Sequence, residues 1–162
     1  MKESVGYTLT LNIVIIFIIV VFAVLAMSLS YYKTFKVSNV ITHAIEKYEG
    51  YNELAEKEIL SKISSLGYNI TSVNCKNTIT DGTDTCKSFD QIVAEAGTIP
   101  SGINHYDGDM GYCIYRCATN TEGYYHYKIS TNMLLNMPLL NNFLKFPVYN
   151  NSANIYDFEG NF

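Results

Sequence analysis

Four cysteines, Cys75, Cys86, Cys113 and Cys117, are the residues of this sequence that most directly imply bond-forming chemistry. An even set in one stretch of chain reads as a disulfide framework, for which three pairings exist. Joining Cys75 to Cys86 and Cys113 to Cys117 would staple the 76–85 loop and one strand separately. Cys113 and Cys117 stand four apart in "YCIYRCA", and in an extended strand such residues are roughly 13 Å apart, beyond the ~7 Å that a disulfide bridges. Either 113–117 bends, or each of the two joins a cysteine of the earlier loop. The strand spacing favours these crossed arrangements. A four-thiolate zinc site would need a reducing compartment, and ten residues separate Cys75 from Cys86, whereas zinc knuckles use about two to four. No metal and no cofactor is expected.

The other residues that could do chemistry are scattered. His43 sits beside the stem stripe, and His105 and His126 are isolated in tyrosine-rich context; all three read as surface or hydrogen-bonded histidines. A Cys–His nucleophile would require a free thiol, which an even cysteine count disfavours. "DGTD" (81–84) and "DGD" (107–109) place carboxylates around glycine as calcium loops do, but neither continues into a full ligand set, and both read as Asp-Gly turns. "NIT" (69–71) and "NNS" (150–152) fit the glycosylation acceptor pattern, relevant only in a eukaryotic secretory pathway. The sequence has 14 tyrosines and no tryptophan; most are expected to pack in the sheet and stem, and an exposed cluster at 124–127 could form a contact surface. No enzyme activity is expected.

The elements around these residues begin with a long apolar run. No charged residue lies between Glu3 and Lys33, and from Leu9 to Leu29 only Thr10, Asn12 and Ser28 are polar. Those 21 residues, at about 1.5 Å each, cover roughly 30 Å, the thickness of a bilayer core. Leu11, Ile15, Ile19, Phe22 and Leu25 mark the expected lipid-facing helix, with Tyr7 at one end and Tyr31 and Tyr32 at the other as interfacial aromatics. A cleaved secretory signal has a shorter apolar region, about 7–15 residues, before a small-x-small site, and "SLSYY" (28–32) matches that poorly.

Beyond Tyr32, Val37, Val40, Ile41, Ala44, Ile45 and Tyr48 recur at spacings of three and four, with Lys36, His43, Glu46 and Lys47 off that stripe. One helix therefore runs from about Tyr7 to Glu49, with Gly50 as its stop. A second is expected at 53–66, capped by Asn52 and ended by Gly67. Downstream, "YNITSVNC" (68–75) alternates like a strand. "SFDQIVAEAG" (88–97) carries a capping-box pattern of Ser88 and Gln91. "YCIYRCA" and "YYHYKIST" (124–131) read as a hairpin, and "FLKFPVYN" (143–150) and "NIYDF" (154–158) as further strands, with Pro147 at an edge or bulge. The expected fold is α+β: a long N-terminal transmembrane and stem helix packed on a small antiparallel sheet. The expected divisions are a leader over 1–6, a transmembrane helix over 7–32, stem and second helix over 33–66, and an extracytoplasmic sheet domain with disulfides over 67–162.

Charge adds two constraints. Beyond Lys36, eight Lys/Arg face fourteen Asp/Glu, a net charge of −6. An acidic domain without a basic stripe gives no footing for nucleic acid. Lys33 and Lys36 follow the apolar run, which by the positive-inside rule would hold the C-terminal part in the cytoplasm. The cysteines argue for the opposite, oxidising side.

A short polar leader ending at Gly6, then "YTLTL" and a long apolar helix, resembles the class III signal of type IV pilin-like proteins. The resemblance implies cleavage by a prepilin peptidase between Gly6 and Tyr7. "YYKTFKVSNVITHAIEKYEGY" and "YHYKISTNMLLNMPLLNNFLKFPVYN" are similar to the stem and closing segments of TadE-like tight-adherence pseudopilins; residues 76–110 match no such pattern. The implied function is that of a minor pilin-like subunit of a surface filament or its assembly machinery, partnered by the lipid bilayer and other pilin-like helices, and serving adhesion. One departure bears on that role. Pilins of this kind carry a glutamate five residues after the cleavage point, where this chain has Leu11. That carboxylate would neutralise a neighbour's new amino group in an apolar filament core, where an unpaired charge is costly. A permanently anchored ectodomain acting as an adhesin or binding module is the alternative.

Overall fold

The computed structural model describes residues 2–66, 72–82, 84–96, 108, 110–119, 123–134 and 145–157. Its elements in chain order are helices α1 (Lys2–Lys47) and α2 (Glu53–Ser65), strands β1 (Thr78–Asp81) and β2 (Asp84–Ser88), helix α3 (Phe89–Ala96), and strands β3 (Tyr112–Ala118), β4 (Tyr124–Leu134), β5 (Lys145–Asn151) and β6 (Ile155–Tyr156). The arrangement is α+β, one long N-terminal helix against a small antiparallel sheet.

At 46 residues, α1 extends roughly 69 Å. It ends in a Schellman turn: Gly50 N–H reaches back to Ile45 O at 2.9 Å and Glu49 N–H to Glu46 O at 3.3 Å. The left-handed residue of that turn is Glu49 (φ 54°), one position before the glycine expected to stop the helix. Asn52 then caps α2 by accepting Ala55 N–H at 3.0 Å. The second helix packs on the first and is tied to the end of it by Lys47 to Glu58 at 2.6 Å. Gly67, its expected terminator, lies outside the described residues.

The sheet order is β1-β2-β3-β4-β5, and β6 also pairs with β4. Between the pairs Lys128–Asn151 and Tyr125–Ile155, β4 has two residues and its partner has three, so β5 and β6 form one edge strand broken by a bulge at 152–154. Pro147 sits in this edge, opposite Asn132. The expected strand over 68–75 is corrected: residues 72–76 are irregular, and 68–71 lie outside the described residues. Their backbone is committed elsewhere, with Val73 N–H donating to Gly108 O at 2.9 Å and Lys76 N–H to the Tyr115 hydroxyl at 3.2 Å. The strands in this region are β1 and β2, joined at Gly82 (φ 61°), which makes "DGTD" a hairpin turn.

Strand β3 is buried on both faces, which gives the molecule two cores. Tyr112 and Ile114, with Tyr125, Tyr127 and Ile129 of β4, pack against Val37, Ile41, Ala44 and Ile45 of α1 and Ala55, Ile59 and Ile63 of α2. Cys113, Tyr115 and Cys117 point the other way, under Val73, Cys75 and Ile79. Gly108 fixes the crossing of the 72–76 segment: its φ is +91°, and a Cβ there would stand 2.1 Å from Val73 O. Asp107 and Asp109 of "DGD" lie outside the described residues.

Candidate functional site

The feature that distinguishes this molecule is a change of surroundings partway along one unbroken helix. From Tyr7 to Lys33 no residue of α1 is buried, and Ala23, Ala26 and Ser30 alone reach an intermediate level. Tyr7 is 73% exposed and Phe22 66%, and Leu11, Ile15, Ile19 and Leu25 are exposed as well. A core helix of a soluble protein would bury most of such a run. This helix buries none of its most apolar window, and among the described residues it is the one helix long and apolar enough to cross a membrane. It is compatible with a single pass. The hydroxyls within and beyond it are turned onto their own helix: Ser28 Oγ donates to Val24 O at 2.9 Å and Thr34 Oγ1 to Ser30 O at 3.0 Å. Gly6 and Tyr7 lie inside α1, which continues through them without a break.

Burial starts at Thr34 and then covers Val37, Ser38, Ile41, Thr42, Ala44 and Ile45. This stripe is wider than the apolar pattern implied, because α1 is contacted from two sides, by the sheet and by α2. The extra positions carry hydroxyls. Thr42 Oγ1 donates to Ser38 O at 2.9 Å. Asn150 of β5 donates its amide to Thr42 Oγ1 (3.0 Å) and Asn39 Oδ1 (2.9 Å), so the "NNS" stretch lies in the stem–sheet interface. Ala153 N–H donates to Glu46 Oε1 at 2.7 Å. Among the described residues Ser38 Oγ is buried without a partner. His43 is exposed.

The top of the stem is held by two tyrosines. The Tyr125 hydroxyl donates to Glu49 O at 3.2 Å, and the Tyr127 hydroxyl accepts Tyr51 N–H at 3.3 Å. Tyr125 and Tyr127 are buried in the sheet and stem packing expected of most tyrosines, so 124–127 is not an exposed cluster: Tyr124 alone of the three faces solvent, edge-to-face with Tyr156. Alternation along β4 puts odd-numbered positions on the helix side. Burial pushes the Tyr125 hydroxyl up to about 12, with Tyr127 beside it adding to the shift and the Arg116 charge opposing it. Burial raises Tyr127 too. Arg116 stands 4.0 Å over the Tyr125 ring and pairs with Asp157 at 3.1 Å. At the helix–helix corner, hydrogen bonds from Lys47 and then Lys62 hold the Glu58 carboxyl down at about 2.

The cysteines form two disulfides, Cys75–Cys113 and Cys86–Cys117, with Cα separations of 5.7 and 4.0 Å. This is a crossed pairing, as the strand spacing of 113 and 117 favours. Cys86 and Cys117 are register partners of β2 and β3, while Cys75 pins the irregular 72–76 segment. The bridges close sequence separations of 38 and 31, each stabilising by roughly 3–4 kcal/mol through loop closure. His126 lies near Cys86 and Cys117, with ligand atoms within 4.8 Å of one another. Both sulfurs are in the disulfide, so the imidazole is the one ligand left in this group. His105 lies outside the described residues.

Compared with models of protein families, with curated proteins and with solved structures, the chain finds no match in any of the three. The site's chemistry therefore stands on the chain's own geometry.

Proposed function

We propose that the chain is a structural subunit, a minor pilin-like component of a bacterial type IV-like (tight-adherence) surface filament or of its assembly machinery. The observation that carries this reading is the two-part helix: one half apolar and uncovered all round, the other half forming the core of a disulfide-braced head. A continuous helix joining an apolar rod to a rigid head transmits position without a hinge. The rod is held in the bilayer and packs among other subunits' helices, and the head is extracytoplasmic, where disulfides persist. Asn12 supports the packing role. It is exposed in the apolar run, and among the described residues its amide has no partner. In a helix bundle such an amide bonds across to a neighbour. On this reading the protein turns over no substrate, and its partners are lipid, other pilin-like helices and a prepilin peptidase.

The first residue of the mature protein, isolated from its native membrane, tests the reading. A chain beginning at Tyr7 is expected. One beginning at Met1 would overturn processing and leave a permanently anchored ectodomain, an adhesin or binding module. Leu11 favours that second reading, since an uncut chain creates no buried amino group for a carboxylate to neutralise.

A further inference from the structure

Lys33 and Lys36 directly follow the apolar run, and among the described residues neither has an ion-pair partner. Both line a groove of about 310 Å³, together with Leu29, Tyr32, Val37 and Leu66. Five of these six lie at i, i+3, i+4, i+7 and i+8 along α1, which is a single stripe of the helix. The sixth, Leu66, closes the groove from the end of α2. Among the described residues no carboxylate belongs to the lining, and Lys62 of the last α2 turn is engaged by Glu58. The groove thus has an aliphatic floor, a tyrosine wall and two uncommitted cations at its rim.

Its position along the helix matters as much as its lining. Leu29 is the last residue of the apolar run, and at about 1.5 Å per residue Lys33 stands roughly 6 Å and Lys36 roughly 10 Å beyond it. The polar interface of a bilayer is about 5–8 Å deep on each side of the hydrocarbon, so Lys33 lies within it and Lys36 just beyond, its side chain leaning back toward the helix N-terminus. An acyl chain or glycerol backbone against Leu29, Val37 and Leu66 would leave its phosphate level with the two ammonium groups, and Tyr32 at headgroup depth.

We propose that this groove is a binding site for one anionic phospholipid, whose phosphate sits between Lys33 and Lys36. The proposal rests on α1 spanning the membrane. It gives the two lysines a ligand on whichever side the head lies, so their positive charge there reads as lipid recognition and not as a topology signal.

The test uses the full chain in phosphatidylcholine vesicles containing trace spin-labelled phosphatidylglycerol or spin-labelled phosphatidylcholine, and compares the motionally restricted fractions. The wild type is expected to prefer phosphatidylglycerol by on the order of tenfold, falling to no preference in Lys33→Gln/Lys36→Gln. Leu66→Trp, which fills the groove and keeps both charges, is expected to lose most of the preference; Leu29→Trp fills it from the other wall should the first variant fail to fold. A preference lost with the lysines but unchanged in both tryptophan variants would mean diffuse surface attraction and would overturn the site. So would equal restriction of the two lipids by the wild type, or displacement of the labelled lipid by millimolar inorganic phosphate. Failure of the wild-type chain to float with vesicles would sink the membrane reading itself, a result distinct from floating without lipid preference.

Discussion

The two halves of α1 share one backbone and differ in what surrounds them. Between Tyr7 and Lys33 no side chain is buried; between Thr34 and Tyr48 a stripe of seven residues is buried, and Lys36, Asn39, His43, Glu46 and Lys47 lie exposed beside it. The first half has no apolar cover among the described residues, whereas the second is covered by the sheet and α2. Hydrophobicity alone therefore does not say where a helix is buried in its own molecule. The more apolar half is the exposed one, because nothing else in the described chain is shaped to cover it.

The largest test of this contrast is deletion of residues 15–24. It shortens the apolar run by ten residues, to roughly half a bilayer's thickness. The shortened chain is expected to leave the membrane fraction while its head stays folded and oxidised; continued flotation with vesicles would contradict the anchor.

Paired alanine substitutions sharpen the same contrast. Ile41 is fully buried in the stem and Ile19 is exposed in the rod. Ile41→Ala is expected to destabilise the head by about 3 kcal/mol, and Ile19→Ala to leave its denaturant midpoint unchanged. Equal effects would mean that the two halves are not distinct.

Alkaline pH probes the joint between stem and head. Tyr125 has its folded value raised from 10.0 to about 12, and Tyr127 is raised in the same direction. A group that holds its proton more tightly when folded contributes fully below its unfolded value and loses that contribution as pH climbs through the folded one. Head stability should therefore decline between about pH 10 and 12, and decline less in Tyr125→Phe/Tyr127→Phe. Identical alkaline profiles, followed by urea unfolding at each pH, would contradict the burial of these hydroxyls.

The smallest effect is expected at Ser38, whose buried hydroxyl has no partner among the described residues. Ser38→Ala removes an uncompensated polar group and improves helix propensity, so a stabilisation of up to about 1 kcal/mol follows. A loss of stability in thermal melts would reveal a hydrogen bond at that position.

What the sequence made legible follows the range of the interactions involved. The α+β class, the apolar run and the stem stripe are local periodicities, and they carry over into α1. The crossed disulfides follow from the reach of a strand, a local constraint on Cys113 and Cys117. The misread features depend on distant partners. "YNITSVNC" alternates like a strand, yet Cys75 is held by Cys113 and Val73 by Gly108, so its backbone has no ladder to join. The short β1 and β2 carry Asp and Lys, which strands disfavour, and they form by pairing with each other, with β2 in turn paired onto β3. Thr34, Ser38 and Thr42 read as polar positions, but Thr34 and Thr42 satisfy themselves on the preceding turn and all three are buried. Tyr125 and Tyr127 pack in the sheet and stem, as expected of most tyrosines, but their partners, Glu49 O and Tyr51 N–H, emerge only once β4 is registered against the stem.

The central claim is that one continuous helix passes from lipid to protein surroundings near Lys33. Single spin labels placed at Ile16, Phe22, Asn39 and His43 of the full chain in vesicles measure this directly, through the relative access of oxygen and a water-soluble nickel chelate. Dominant oxygen access at Ile16 and Phe22, with chelate access at Asn39 and His43, is the predicted result. Free chelate access at Ile16 and Phe22 would place that half of the helix in water and contradict the claim.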